Sequence, residues 1–119
     1  MTQSLFERLG GEAGITQLAS DLVDIHLANP EISPRYVDSD VAAVKKGAAE
    51  FFITGTGGPA VYKGKDMVGT HRGMNISNDE FMAVLDDVLQ ALDKNNVGQR
   101  EKEEVLFTFF SMKNDVVGQ

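Results

Sequence analysis

An all-α chain is what this sequence predicts, and three observations carry it. Apolar residues recur at three- and four-residue steps through four long stretches. No segment alternates strictly with period two, and β-branched runs are absent. One of the stretches opens on a capping-box sequence, Ser77-Asn78-Asp79-Glu80, with Ile76 before it and Phe81 placed for a hydrophobic staple.

The first element, Leu5 to Leu9, spans one or two helical turns, and Gly10-Gly11 stops it with a sharp redirection. From Glu12 the positions Ile15, Leu18, Ala19, Leu22, Val23 and His26 trace one face of a helix that ends near Asn29-Pro30. Ile32 to Val37 is a short turn or corner, with Tyr36 available to point inward. Asp38-Ser39-Asp40 supplies N-cap residues for a second long helix. Its stripe is Val41, Val44, Ala48, Phe51 and Phe52, and Ala42, Ala43, Gly47, Ala48 and Ala49 leave it thin. A thin helix admits a second backbone or a flat ligand at close range. Gly55-Thr56-Gly57-Gly58 then reads as a flexible loop that ends the helix.

The third helix carries Phe81, Val84, Leu85, Val88, Leu89 and Leu92 on one face, and Asn95 to Gly98 breaks it. The fourth starts near Gln99, carries Val105, Leu106, Phe109, Phe110 and Met112, and frays toward Gln119. Short connections favour antiparallel neighbours.

Composition bounds the function. The 119 residues fit one domain, 1–119, large enough for a core of its own. A net charge of −7, with basic residues spread thinly, argues against a nucleic-acid partner. No apolar run is long enough for a membrane span, and no signal peptide is visible, so the expectation is a cytoplasmic protein. Without cysteine there is no disulfide, thiolate metal site or cysteine nucleophile. Gly55-Thr56-Gly57-Gly58 lacks the strand before it and the Lys-Ser/Thr after it that a phosphate loop needs. Asp86-Asp87 and Glu103-Glu104 read as solvated helix faces, so hydrolytic chemistry has little support.

What remains is the stretch from Tyr62 to Ile76, which holds His71, one of two histidines. An imidazole on a short segment between two helices suits an axial iron ligand, against the plain alternative of a surface or core histidine.

Resemblance sharpens this. Ser4-Leu5-Phe6-Glu7-Arg8-Leu9-Gly10-Gly11, Gly57-Gly58, Tyr62-Lys63-Gly64-Lys65-Asp66-Met67 and Thr70-His71-Arg72-Gly73-Met74-Asn75-Ile76 occur in the order seen in truncated haemoglobins of group I. The chain resembles that family from about Ser4 to Ile76 and on through the C-terminal helices. The resemblance implies a two-over-two helical sandwich around haem b, with His71 as the metal ligand. It places Tyr36, Val44, Ala48, Phe51, Phe52, Met67, Ile76, Phe81 and Val84 against the haem and gives Lys65 a propionate to reach. The distal pocket it implies is Val23, Val44, Gly47 and Ala48. The family commonly has a tyrosine where Val23 stands and polar residues on the facing helix; none of the four residues here has a side-chain donor.

The resulting expectation is a monomeric, primarily non-enzymatic protein. It binds oxygen, carbon monoxide or nitric oxide reversibly, for oxygen transport or storage. Nitric oxide detoxification or peroxide chemistry, served by a reductase, is one alternative; a cofactor-free helical interaction module is another. His26 is read as a packed histidine near the Asn29-Pro30 corner, with a sixth iron ligand or a substitute donor as its alternatives.

Overall fold

The computed structural model describes residues 3–62, 64 and 67–119, without the side chains of Met67 and Val68. Ser4 accepts a hydrogen bond from the Glu7 N–H and opens α1 (Leu5–Arg8). Gly10 and Gly11 then take φ values of 98° and 68°, a region where a Cβ is costly, and swing the chain into α2 (Gly11–Ala28). α2 buries the whole expected stripe and, beyond it, Asp21. The Asn95 side-chain amide, ahead of Gln17 and Lys94, holds the Asp21 carboxyl below the usual carboxylate range.

A 3-10 turn, Ser33–Tyr36, follows the proline corner. Asp40 caps α3 (Val41–Gly55) by accepting the Ala43 N–H. The expected α3 stripe is divided. Ala49, Phe52 and Ile53 are buried, while Val41 is exposed and Val44, Ala48 and Phe51 are half-buried. The reason is that α3 packs chiefly on α2, which covers one side of the stripe and leaves the other open.

The glycine corner after α3 is anchored, not a loose loop. The Gly58 N–H donates to the Ile53 carbonyl and the Phe6 N–H to the Thr56 carbonyl. A Cβ on Gly58 would lie 2.5 Å from the Phe6 ring, so the close approach of α1 requires glycine there.

Beyond α4 (Met67–His71), Ser77 and Glu80 form the expected capping box of α5 (Asn78–Lys94). Ile76 and Phe81 share one buried cluster, as a hydrophobic staple requires. α6 (Gln99–Ser111) is followed by an element the periodicity missed, α7 (Lys113–Val116). The tail does not fray. Val116 is buried, the Gly118 N–H donates to the Ile76 carbonyl, and the Gly73 and Asn75 N–H groups donate to the Gln119 carbonyl.

The long helices form two pairs, α2 with α3 and α5 with α6, joined mainly through α2 and α5. Their main core includes Ile15, Leu18, Leu22, Phe52, Val88, Leu92 and Val105. Phe109 packs against both this core and the smaller cluster of Ile76, Phe81, Leu85 and Val116. Glu104 is not simply solvated: with Glu101 it holds Arg8 of α1, and that guanidinium lowers the Glu104 pKa. Among the described residues no helix is long and apolar enough to cross a membrane.

Candidate functional site

His71 is the last residue of α4, where the chain leaves the helix toward α5. The turn beyond it carries φ values of 82° at Gly73 and 48° at Asn75. Both of their N–H groups are tied to the C-terminal residue, so the tail braces the histidine segment from below. The half-buried imidazole lines a cavity of ≈ 150 Å³ between α2, the 3-10 turn, α5 and the C-terminal helices.

The cavity wall is mostly apolar, with Ile32, Met74, Ile76, Phe81, Val84, Phe109, Met112 and Val116. At its rim Arg35 makes a two-pronged pair with Glu80, Nε to Oε2 at 2.9 Å and Nη2 to Oε1 at 3.0 Å. Its Nη1 also donates to the Met74 carbonyl, clasping the 3-10 turn to the histidine segment. Arg35 lowers the Glu80 pKa. Burial pushes the phenol of Tyr36, another lining residue, upward, so it stays protonated.

Asp87 departs most from expectation. Read from sequence as a solvated acid, it is 1% exposed. Its Oδ2 lies 2.7 Å from His26 Nδ1, and its Oδ1 accepts from the Asn29 amide at 3.1 Å. The cause is its register: Asp87 falls on the face of α5 that carries Val84, Val88 and Ala91, so it goes inward and takes its partners from α2. His26, 6% exposed, also lines the cavity, its ring parallel to Tyr36 at 9° with centroids 6.2 Å apart.

A second cavity, ≈ 260 Å³, shares Phe109 and Met112 with the first and is walled by Phe51 and Phe52. The structure thus brings His71, Tyr36, Ile76, Phe81 and Val84 to one cavity, and Phe51 and Phe52 to its neighbour. Val23 is sealed in the interior, and Val44, Gly47 and Ala48 lie half-buried on α3; these four line neither cavity. Lys65 and the side chain of Met67 lie outside the described residues. Sequence reading missed Ile32, Arg35 and Glu80 as wall residues, and placed Phe109 and Met112 only in a helical stripe. The one signal for Asp87 was an acid inside the apolar register of α5.

The donor set decides what this cavity fits. Among the described residues no group of three or more His, Asp or Glu side chains is placed to hold a bare metal ion. His71, facing a mostly apolar space beside the Asp87-paired His26, suits iron whose other ligands come from a macrocycle. A family model described as bacterial-like globin matches residues 4–117. The chain belongs to the bacterial-like globins.

Membership implies a haem-binding globin, and the relatives agree in kind. This globin is 26% identical over 117 residues to a group 1 truncated hemoglobin of Tetrahymena pyriformis, covering 98% of this chain and 97% of that protein. It is 26% identical to one of Mycolicibacterium paratuberculosis over 87% of this chain and 76% of that protein. The crystal structure of the Tetrahymena pyriformis truncated hemoglobin, Fe(III) form, superposes with a TM-score of 0.94 at 26% identity, over 98% of this chain and all of that one. The 2/2 hemoglobin of Synechococcus sp., in the cyanomet state with covalently attached heme, superposes with a TM-score of 0.90 at 25% identity, over 97% and 98% of the two chains. The helix pairs described above are those of the two-over-two globin fold, as the sequence led one to expect.

Proposed function

We propose that this globin binds oxygen, or another diatomic gas, reversibly at the iron of a haem b ligated by His71. The observation that carries the reading is His71 itself, an imidazole on a braced turn facing an apolar cavity. Bound haem supplies an iron atom with one coordination position open to a small ligand. The chain supplies everything else. His71 would supply the nitrogen that holds the iron, and the tail holds the turn that carries it. Ile76, Phe81, Val84 and the ring of Tyr36 exclude water from one cavity, and Phe51 and Phe52 do so in the other. Val23, Val44, Gly47 and Ala48 offer a gas no side-chain hydrogen bond.

Reconstitution with haemin followed by visible spectroscopy tests this. Reduced protein shifts its Soret band on exposure to oxygen and returns when the gas is purged with argon; carbon monoxide shifts it as well, to a distinct position. Oxygen is expected to dissociate quickly where it is faced by Val23, Val44, Gly47 and Ala48, none of which carries a side-chain donor. A reduced protein that oxidises at once on meeting oxygen, with no reversible spectrum, contradicts the carrier role.

A further inference from the structure

α6 carries apolar side chains on two faces. Val105 is buried in the main core and Phe109 packs against it, while Phe107 falls on the opposite face at 78% exposure. Phe110, 53% exposed, stands about one turn beyond Phe107. Apolar stripes on both sides of a helix call for cover on both sides. With Met82, Leu89 and Leu106 these two rings line a groove of ≈ 510 Å³ between α5 and α6. Met82, Phe107 and Phe110 are three of the five large apolar side chains exposed among the described residues, so the exposure is gathered and not scattered. A gathered apolar patch with a polar rim marks a surface that another molecule covers.

The rim selects the occupant. Glu103, exposed one turn before Phe107, accepts from the Gln99 amide and pairs with no described cation. At the other end the Lys113 ammonium stands 5.6 Å from the centre of the Phe110 ring. Lys45, Lys94 and Lys102 pair with aspartates, whereas Lys113 pairs with no described acid. An acid thus lies about one turn to one side of Phe107 and a cation about one turn to the other. Such a stripe is self-complementary. A second copy turned about a two-fold axis through Phe107 lays the stripes antiparallel and brings each Glu103 to the other copy's ammonium. Asp86, the one charge among the groove's lining residues, accepts from the Gln90 amide at 3.3 Å, so covering the groove does not strand it.

We propose that the α5–α6 face is the contact of a two-fold homodimer, in place of the monomer expected from sequence. Phe107 sits at its axis, and two Glu103–Lys113 pairs close its rim. The proposal does not rest on the haem reading, because none of these residues lines the His71 cavity or its neighbour.

Sedimentation velocity of the purified full chain over the micromolar range tests it. Wild type moves from monomer to dimer as its concentration rises. Phe107→Ser, a change at an exposed position, stays monomeric with the far-ultraviolet circular dichroism of wild type. Glu103→Lys and Lys113→Glu each dissociate about tenfold more readily, since each puts like charges at both rim contacts. Mixing these two variants restores association, because every rim contact of the mixed dimer joins opposite charges. Non-specific adhesion of exposed rings gives no such rescue. A wild type that stays monomeric overturns the proposal, also where it co-sediments with phosphatidylcholine vesicles, which would make the patch a lipid contact. So does a dimer that survives Phe107→Ser, or a mixture of the two charge variants that associates no better than either alone.

Discussion

Asp87 shows what a buried charge requires in this protein. A carboxylate at 1% exposure is tolerable because both of its oxygens are engaged, one by His26 and one by Asn29. Removing it strands two polar groups at once. Asp87→Ala is therefore expected to lower stability by about 3 kcal/mol, the cost of breaking a buried pair by deleting one partner. Urea unfolding of the wild type and variant measures it; a change within the scatter of a surface substitution would show that water satisfies the site. The inward turn of Asp87 was barely legible in sequence, because adjacent acids on an amphipathic helix usually face solvent. His26 was half legible: its packing near the Asn29-Pro30 corner follows from helical spacing. Its tie to α5, sixty-one positions away, rests on pairing between elements that spacing does not encode.

At the scale of elements, the Arg35–Glu80 clasp joins the 3-10 turn to α5 and, through Met74, to the histidine segment. Arg35 holds the Glu80 pKa below its ordinary 4.5. A carboxyl depressed in the folded state stabilises the fold above its unfolded pKa, and that contribution disappears as pH falls through the folded value. Glu80→Gln should thus cost roughly 0.5–1 kcal/mol at neutral pH, typical of a partly exposed pair. The difference from wild type should shrink as the pH falls from neutral into acid, through the lowered folded value. Denaturation curves at neutral and acid pH decide it, and a gap that persists in acid would attribute the effect to the capping box instead. Capping and glycine signals made the starts of α2, α3 and α5 readable. α7 was not, because its four residues are too few to show a period, and its stability comes from docking onto the Ile76 segment.

At the scale of the whole molecule, two helix pairs leave an apolar space at the end of the core, and the chain directs one imidazole into it from a turn braced by its own C-terminus. Helical periodicity was enough to give the four long helices. The order of the glycine motifs and His71 was enough to suggest the globin family. How α3 faces the site was not legible, because its small residues fit the α2 contact and an open cleft equally well. The central claim is that His71 ligates the iron. The most direct measurement is the iron–histidine stretching band in the resonance Raman spectrum of the ferrous, gas-free protein, compared between wild type and His71→Gly. The account predicts a band in wild type, its loss in His71→Gly, and its return when free imidazole is added to fill the vacated space. His26 is the only other histidine in the chain. A His71→Gly variant that keeps the same band without added imidazole would place the iron on another ligand and contradict the account.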